Sequence, residues 1–204
     1  MFRLGSLASG NGTDLDAIYK EMDEGHLPGV EIAAILSDRE EAPVLEKGRA
    51  RGLRAEWLNP KWPDGTKKTR EDYDRELAER LGPVDLVCLI GYMRILTPVF
   101  INTYFPRNII NVHPSLLPKY GGHGWYGMKV HEAVLANGES ESGMTIHYVD
   151  IGVDSGPMVL QKKVPVLPED TPETLKMRVQ EVEKIAYPEA IRLIYQERVA
   201  SLKA

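Results

Sequence analysis

The sequence predicts a single-domain α/β fold over residues 1–204, three-layered, with a mainly parallel twisted sheet between helices. Three observations predict it. Short apolar runs alternate with segments of helical periodicity along most of the chain. One run, Val84-Asp85-Leu86-Val87-Cys88-Leu89-Ile90, is nearly continuous, as suits a central strand buried on both faces. In residues 70–81, Tyr73, Leu77 and Leu81 recur at four-residue spacing and offer one apolar stripe to a sheet.

Taken in order, strands are expected at 2–8, 30–37, 53–58, 84–91, 109–113, 143–149 and 159–164. Helices are expected at 14–22, 42–51, 70–81, 98–105 and 129–137. Alternation at this pitch implies right-handed crossovers, with helices on both faces of the sheet. Thr171 and Pro172 make the N-cap and first residue of a C-terminal helix, whose apolar face is Leu175, Val179, Val182 and Ala186. Pro188 is expected to kink that helix or begin a second one, before a weakly amphipathic end at Ala204.

Composition narrows the function. The chain is 43% hydrophobic and 27% charged, which excludes disordered, collagen-like and disulfide-scaffold classes. With 25 basic and 30 acidic side chains the formal charge is -5, against a nucleic-acid partner. Cys88 has no second cysteine to pair with and reads as a small buried hydrophobe. No run approaches the ~20 apolar residues of a membrane span, and the N-terminal apolar region is too short for a signal peptide. A cytoplasmic protein is expected.

Three segments carry chemistry. Ser9-Gly10-Asn11-Gly12-Thr13-Asp14 joins the first strand to the first helix, where free backbone N–H groups and the helix dipole can receive an anion. It lacks the third glycine of a dinucleotide fingerprint and the lysine of a Walker loop, so a structural turn and a phosphate cradle both remain open. Asn111 and His113 stand at the carboxyl end of a strand, two residues apart and so on one side of it. An amide N–H there can meet a carbonyl oxygen, and an imidazole can exchange a proton near neutral pH. In the segment 150–157, Asp154 is either part of an Asx-type turn or a carboxylate that orients His113. Together the three could stabilise an oxyanion without a side-chain nucleophile, the attacking group coming from a substrate.

These residues sit in longer motifs. Gly91-Tyr92-Met93-Arg94-Ile95-Leu96, Asn111-Val112-His113-Pro114-Ser115-Leu116-Leu117-Pro118 and Asp154-Ser155-Gly156-Pro157 resemble the folate-dependent formyltransferases, the phosphoribosylglycinamide formyltransferase family above all. The resemblance runs from the glycine loop to Val179-Gln180 and Tyr187-Pro188. It implies a Rossmann-like formyltransferase fold and transfer of a formyl group from 10-formyltetrahydrofolate to the amine of phosphoribosylglycinamide, in purine synthesis. It implies His113 as general acid, Asn111 on the formyl oxygen, and Asp154 orienting His113 and assisting loss of the amine proton through water. Folate would lie against Met93, Arg94, Ile95 and Leu96, beside Asn111, and along Asp150, Ile151, Gly152, Val153 and Asp154, with Arg70 at its glutamate tail. Substrate phosphate would rest on the backbone of Gly12, Thr13 and Asp14, and Gln180 and Glu183 would meet the rest of the substrate.

Read as bare residues, Arg94 is equally a solvated charge, Met93, Ile95 and Leu96 core, and Gln180 and Glu183 a polar helix face. Asp14 departs from the neutral residue usual in the family, Gly121 from a proline, and Ile151-Gly152 from acidic residues. The glycine-rich link through His123 and Trp125 to Met128 is a flap or a surface excursion. His26, His123 and His131 complete no recognisable metal set, His147 reads as structural, and no metal is expected. A formyltetrahydrofolate hydrolase, a formyltransferase for another small amine or for initiator transfer RNA, and a non-enzymatic folate or nucleotide sensor are the alternatives. The length leaves no room for the added domains of the hydrolase or the RNA enzyme, which favours a small-molecule acceptor, in a monomer or homodimer.

Overall fold

The computed structural model describes residues 1–104 and 106–201. The expected helix end at Phe105 and the chain end at Ala204 lie outside the described residues. The elements are β1 (Phe2–Ala8), α1 (Thr13–Asp23), β2 (Val30–Ser37), α2 (Pro43–Ala50), β3 (Ala55–Trp57), α3 (Arg70–Leu81), β4 (Leu86–Ile90), α4 (Pro98–Tyr104), β5 (Ile109–His113), α5 (Met128–Ala136), β6 (Glu141–Tyr148), β7 (Met158–Pro165) and α6 (Pro172–Ser201). The strand order is β3-β2-β1-β4-β5-β6-β7. β1 pairs in parallel with β2 and β4, and β2 with β3, whereas β6 and β7 run antiparallel. The fold is α/β with a mixed sheet.

Two compact units divide the chain. The first comprises Met1–Asp16 and Pro28–Ile110. Its strands β1 and β4 are buried along nearly their whole length, Cys88 among them, as the apolar run predicts. Tyr73, Leu77 and Leu81 are buried too, so the stripe on α3 does face the core. Thr69 caps α3 by accepting from Asp72 N–H, while its own hydroxyl donates to the Asp72 carboxylate at 2.7 Å. β3 is shorter than expected because Leu53 N–H bonds the Gly48 carbonyl at 3.0 Å and closes α2. β4 stops before Gly91, whose φ of 59° turns the chain out of the sheet. Because β1 lies between β2 and β4, the loops after β1 and β4 open on a topological switch point, where doubly wound sheets bind ligands.

The second unit comprises Ala17–Leu27 and the chain from Asn111 onward. It holds the β6–β7 hairpin, α5 and α6. Of the two expectations for α6, a second helix does not form: Pro188 lies inside the one helix Pro172–Ser201. The proline deletes the bond to the Lys184 carbonyl, a loss of about 3 kcal/mol in a bare helix. Burial of Ala186, Tyr187, Pro188, Ala190 and Ile191 offsets that loss. The buried stripe also departs from the expected one, running Leu175, Val179, Glu183, Ala186, with Val182 half-buried. Among the described residues, no helix is long and apolar enough to cross a membrane.

Candidate active site

In the first unit, the glycine loop leaves β1 at Ser9 and enters α1 at Thr13. Gly12 sits at φ 66°, and a Cβ there would lie 2.5 Å from Val44 Cγ2, so both backbone and space require glycine. Thr13 is exposed, while Asp14 is buried at 5% exposure. At the neighbouring strand end, residues 91–97 form the second loop of the switch point. Ser9 joins the two loops: its hydroxyl donates to Asp38 Oδ1 at 2.6 Å, and its oxygen accepts Met93 N–H at 2.9 Å.

Further bonds set the far side of that loop. Buried Asp74 accepts Thr97 N–H at 2.5 Å, and Arg70 donates to the Ile95 carbonyl at 2.8 Å. Burial raises the Asp74 carboxyl above its ordinary value, against the pull of the Thr97 bonds and of Arg94 and Arg70. Arg94 stacks on Tyr73, its guanidinium carbon 4.0 Å from the ring centroid, so it is not a free solvated charge. Leu96 is buried, while Met93 and Ile95 stand about half exposed at 52% and 51%. Two apolar side chains are thus presented to solvent in the loop that follows β4.

In the second unit, Asn111, His113, His147 and Asp154 form one cluster. His113 is buried, its Nδ1 3.3 Å from Asp154 Oδ2, and its Nε2 donates to the Tyr120 carbonyl at 2.6 Å. Burial lowers the His113 pKa, with Asp154 and the Tyr120 carbonyl pulling it upward and His147 acting with burial. Asp154 Oδ2 also accepts Gly122 N–H at 3.0 Å, and Oδ1 lies 3.5 Å from His147 Nε2. Burial pushes the Asp154 carboxyl up, but His147, His113 and the Gly122 amide together hold it below the usual carboxylate range. His147 Nδ1 donates to the Tyr148 carbonyl at 2.9 Å, and Nε2 accepts from Asn111 Nδ2 at 3.2 Å. One N–H of the Asn111 amide is thereby engaged.

The segment after His113 is held by its own bonds. Thr145 Oγ1 donates to the Ser115 carbonyl at 2.7 Å and accepts Leu117 N–H at 3.1 Å, and Gln161 donates to the Leu117 carbonyl at 3.1 Å. Tyr120 then takes a φ of 55°, its hydroxyl anchored by Glu139 at 3.0 Å and Asn137 at 2.9 Å. The glycine-rich link beyond it is exposed, with Trp125 edge-on to Tyr120 at 5.5 Å between centroids. It lies on the surface and is tied to Asp154 through Gly122.

The predicted residues therefore fall into groups. Gly12, Thr13, Asp14, Arg70, Met93, Arg94, Ile95 and Leu96 belong to the first unit; Asn111, His113, Asp150–Asp154, Gln180 and Glu183 belong to the second. Ile151 and Gly152 are exposed, and Asp150 Oδ1 accepts Gly152 N–H at 3.0 Å and the Ser155 hydroxyl at 2.7 Å, the expected Asx-type turn. Gln180 is half-buried, and Glu183 is buried within the apolar stripe of α6, not on a solvated face. His147 is the residue that sequence reasoning missed as part of the site. Its one signal was position, near the carboxyl end of a strand and seven residues before Asp154. His26 Nδ1 lies 3.2 Å from Glu21 and 3.5 Å from Glu24 in a partly exposed cluster.

An Asn–His–Asp cluster thus stands on an α/β sheet of seven strands. Residues 3–191 match the family described as formyl transferase, and the chain belongs to that family. Within it the chain is similar to phosphoribosylglycinamide formyltransferases. That of Escherichia coli (strain K12) is 39% identical over 184 residues, which are 89% of this chain and 82% of the relative. The chloroplastic form from Vigna unguiculata is 38% identical over 197 residues; they make up 97% of this chain but 62% of the relative's length. Among solved structures, glycinamide ribonucleotide transformylase 1 from Symbiobacterium toebii superposes with a TM-score of 0.86 at 42% identity, covering 97% of this chain and 89% of that one.

Proposed function

We propose that residues 1–204 are the catalytic domain of an enzyme that transfers the formyl group of 10-formyltetrahydrofolate to the amine of phosphoribosylglycinamide, in de novo purine (IMP) synthesis. The observation that carries the reading is the cluster itself: Asp154 against His113 at 3.3 Å and His147 against Asn111 at 3.2 Å. In this scheme Asn111 donates its remaining N–H to the formyl oxygen, and His113 supplies the proton that stabilises the oxyanion as the amine attacks. Asp154 orients His113 and draws off the amine proton through water. The new C–N bond forms at the amine, the bond to the folate nitrogen breaks, and the amine proton returns to that nitrogen.

The exposed side chains of Met93 and Ile95, with Leu96 behind them, fit a flat heterocycle. Arg70 retains guanidinium donors beyond the one on Ile95, enough for a carboxylate tail. The backbone of Gly12, Thr13 and Asp14 takes the substrate phosphate, and Gln180 and Glu183 the ribose. A formyl-donor assay with phosphoribosylglycinamide, or with water alone, tests the reading. Product is expected only with the amine, and His113→Ala is expected to abolish it while folate still binds. Equal deformylation without amine, or unchanged turnover in His113→Ala, overturns it.

A further inference from the structure

Three carbonyls of the glycine loop, those of Gly10, Asn11 and Gly12, accept from donors on α1 and α2. Val44 N–H of α2 bonds the Gly10 carbonyl at 3.2 Å, and Asp16 N–H of α1 bonds the Gly12 carbonyl at 3.1 Å. Between them, Lys47 Nζ of α2 donates to the Asn11 carbonyl at 2.8 Å. Three successive carbonyls are thus each held by a donor. The same Lys47 ammonium lies 2.5 Å from Asp16 Oδ2, with 36% of its side chain still exposed.

Charge gives this contact its meaning. Asp14 and Asp16 both stand in the first turn of α1, where an anion would sit. Each carboxylate opposes a phosphate dianion by Coulomb repulsion, and the helix end supplies only about half a positive charge. We infer that Lys47 is the cationic element of the phosphate-binding loop. It neutralises Asp16, keeps the Asn11 carbonyl away from the ligand, and adds the charge that lets this acidic helix end accept the phosphate monoester of the amine substrate. The inference rests on the function proposed above. Lys47 is a binding and positioning residue, remote in role from the formyl centre, so its removal acts on the affinity for phosphate.

The test uses the full chain and two readouts. Steady-state kinetics follow the amine and the formyl donor separately, and titration with inorganic phosphate follows the loop by the amide signal of Gly12. Lys47→Met is expected to raise the amine KM and weaken inorganic phosphate binding about tenfold each, with kcat and the donor KM within about twofold. Lys47→Arg restores both to within about threefold, since it keeps the charge and a donor. Asp16→Asn shifts the other way and tightens phosphate by about threefold, because Lys47 loses a competing anion. An amine KM and phosphate affinity unmoved in Lys47→Met, equal rises in both substrates' KM, or weaker phosphate binding in Asp16→Asn each overturn the inference. Should the wild-type chain make no product from phosphoribosylglycinamide, the functional reading fails by itself, and the inorganic phosphate arm still decides on Lys47.

Discussion

Asp154 holds a carboxylate oxygen 3.3 Å from Nδ1 of His113 while its own backbone sits at φ 56°. A non-glycine residue in that region costs about 1 kcal/mol or more, a strain found where surrounding contacts over-determine a conformation. Here the contacts are Gly122 N–H and the two imidazoles, and they aim one carboxylate at both rings. His113 is the residue whose protonation that aim controls.

Burial draws the His113 pKa down and Asp154 is the largest influence opposing it. Removing the charge with Asp154→Asn leaves burial less opposed, so the His113 titration is expected to move to lower pH. The imidazolium needed as proton donor then becomes scarcer at neutral pH, and kcat falls about 10²-fold. Imidazole NMR signals followed across a pH titration check the sign. A His113 midpoint that stays in place or rises in Asp154→Asn contradicts the assignment.

His147 acts one bond further out. Its Nε2 accepts from Asn111 Nδ2, which fixes the amide plane and aims the second N–H. His147→Leu removes that acceptor and leaves the amide free to rotate. The expected loss is about 10- to 100-fold in kcat, the range for a lost oxyanion donor or its support, with both KM values nearly unchanged. A loss confined to KM places His147 in substrate binding instead.

Gly156 supports the same ring through the backbone. A Cβ at this position would lie 1.8 Å from the Tyr148 carbonyl oxygen, the group that receives His147 Nδ1. Alanine therefore pushes away the carbonyl that receives His147 Nδ1–H. Gly156→Ala is expected to lower kcat about as far as His147→Leu, and the double variant to add little more, since both act on one group. Simple multiplication of the two losses counts against this route.

The parts of this structure that were legible from sequence are those set by local periodicity. β1, β2 and β5 and α3 fall within the expected bounds because alternation, strand-end position and the Tyr73–Leu77–Leu81 stripe are local signals. Asn111 and His113 were legible for the same reason: two-residue spacing in a strand puts both on one side. Other features depend on partners distant in sequence. Arg70 bonds Ile95, twenty-five positions away, and Ser9 bonds Asp38 and Met93. Glu183 occupies a stripe position that hydrophobicity assigned to Val182, because the stripe is set by packing and not by residue type. His147 looked structural because only its partners, Asn111 and Asp154, distinguish it from a core histidine.

His131 on α5 gives a prediction about stability. It is buried at 2% exposure, and its Nδ1 has no hydrogen-bond partner among the described residues. Burial, helped by the charges of Lys176 and His113, lowers its pKa from 6.5 to about 4. The unfolded chain thus binds a proton near pH 6.5 that the folded chain refuses until about pH 4. Stability from this residue is intact above the upper value and falls as the pH drops through that window, by about 3 kcal/mol in all. His131→Leu, which needs neither proton nor partner, removes that part of the acid loss. His113, also lowered, keeps its own share in both proteins. Urea unfolding of the two proteins at about pH 7.5 and about pH 4.5 measures the difference. The variant is expected to lose less stability between the two conditions than the wild type; equal losses show that His131 is not the acid-sensitive group.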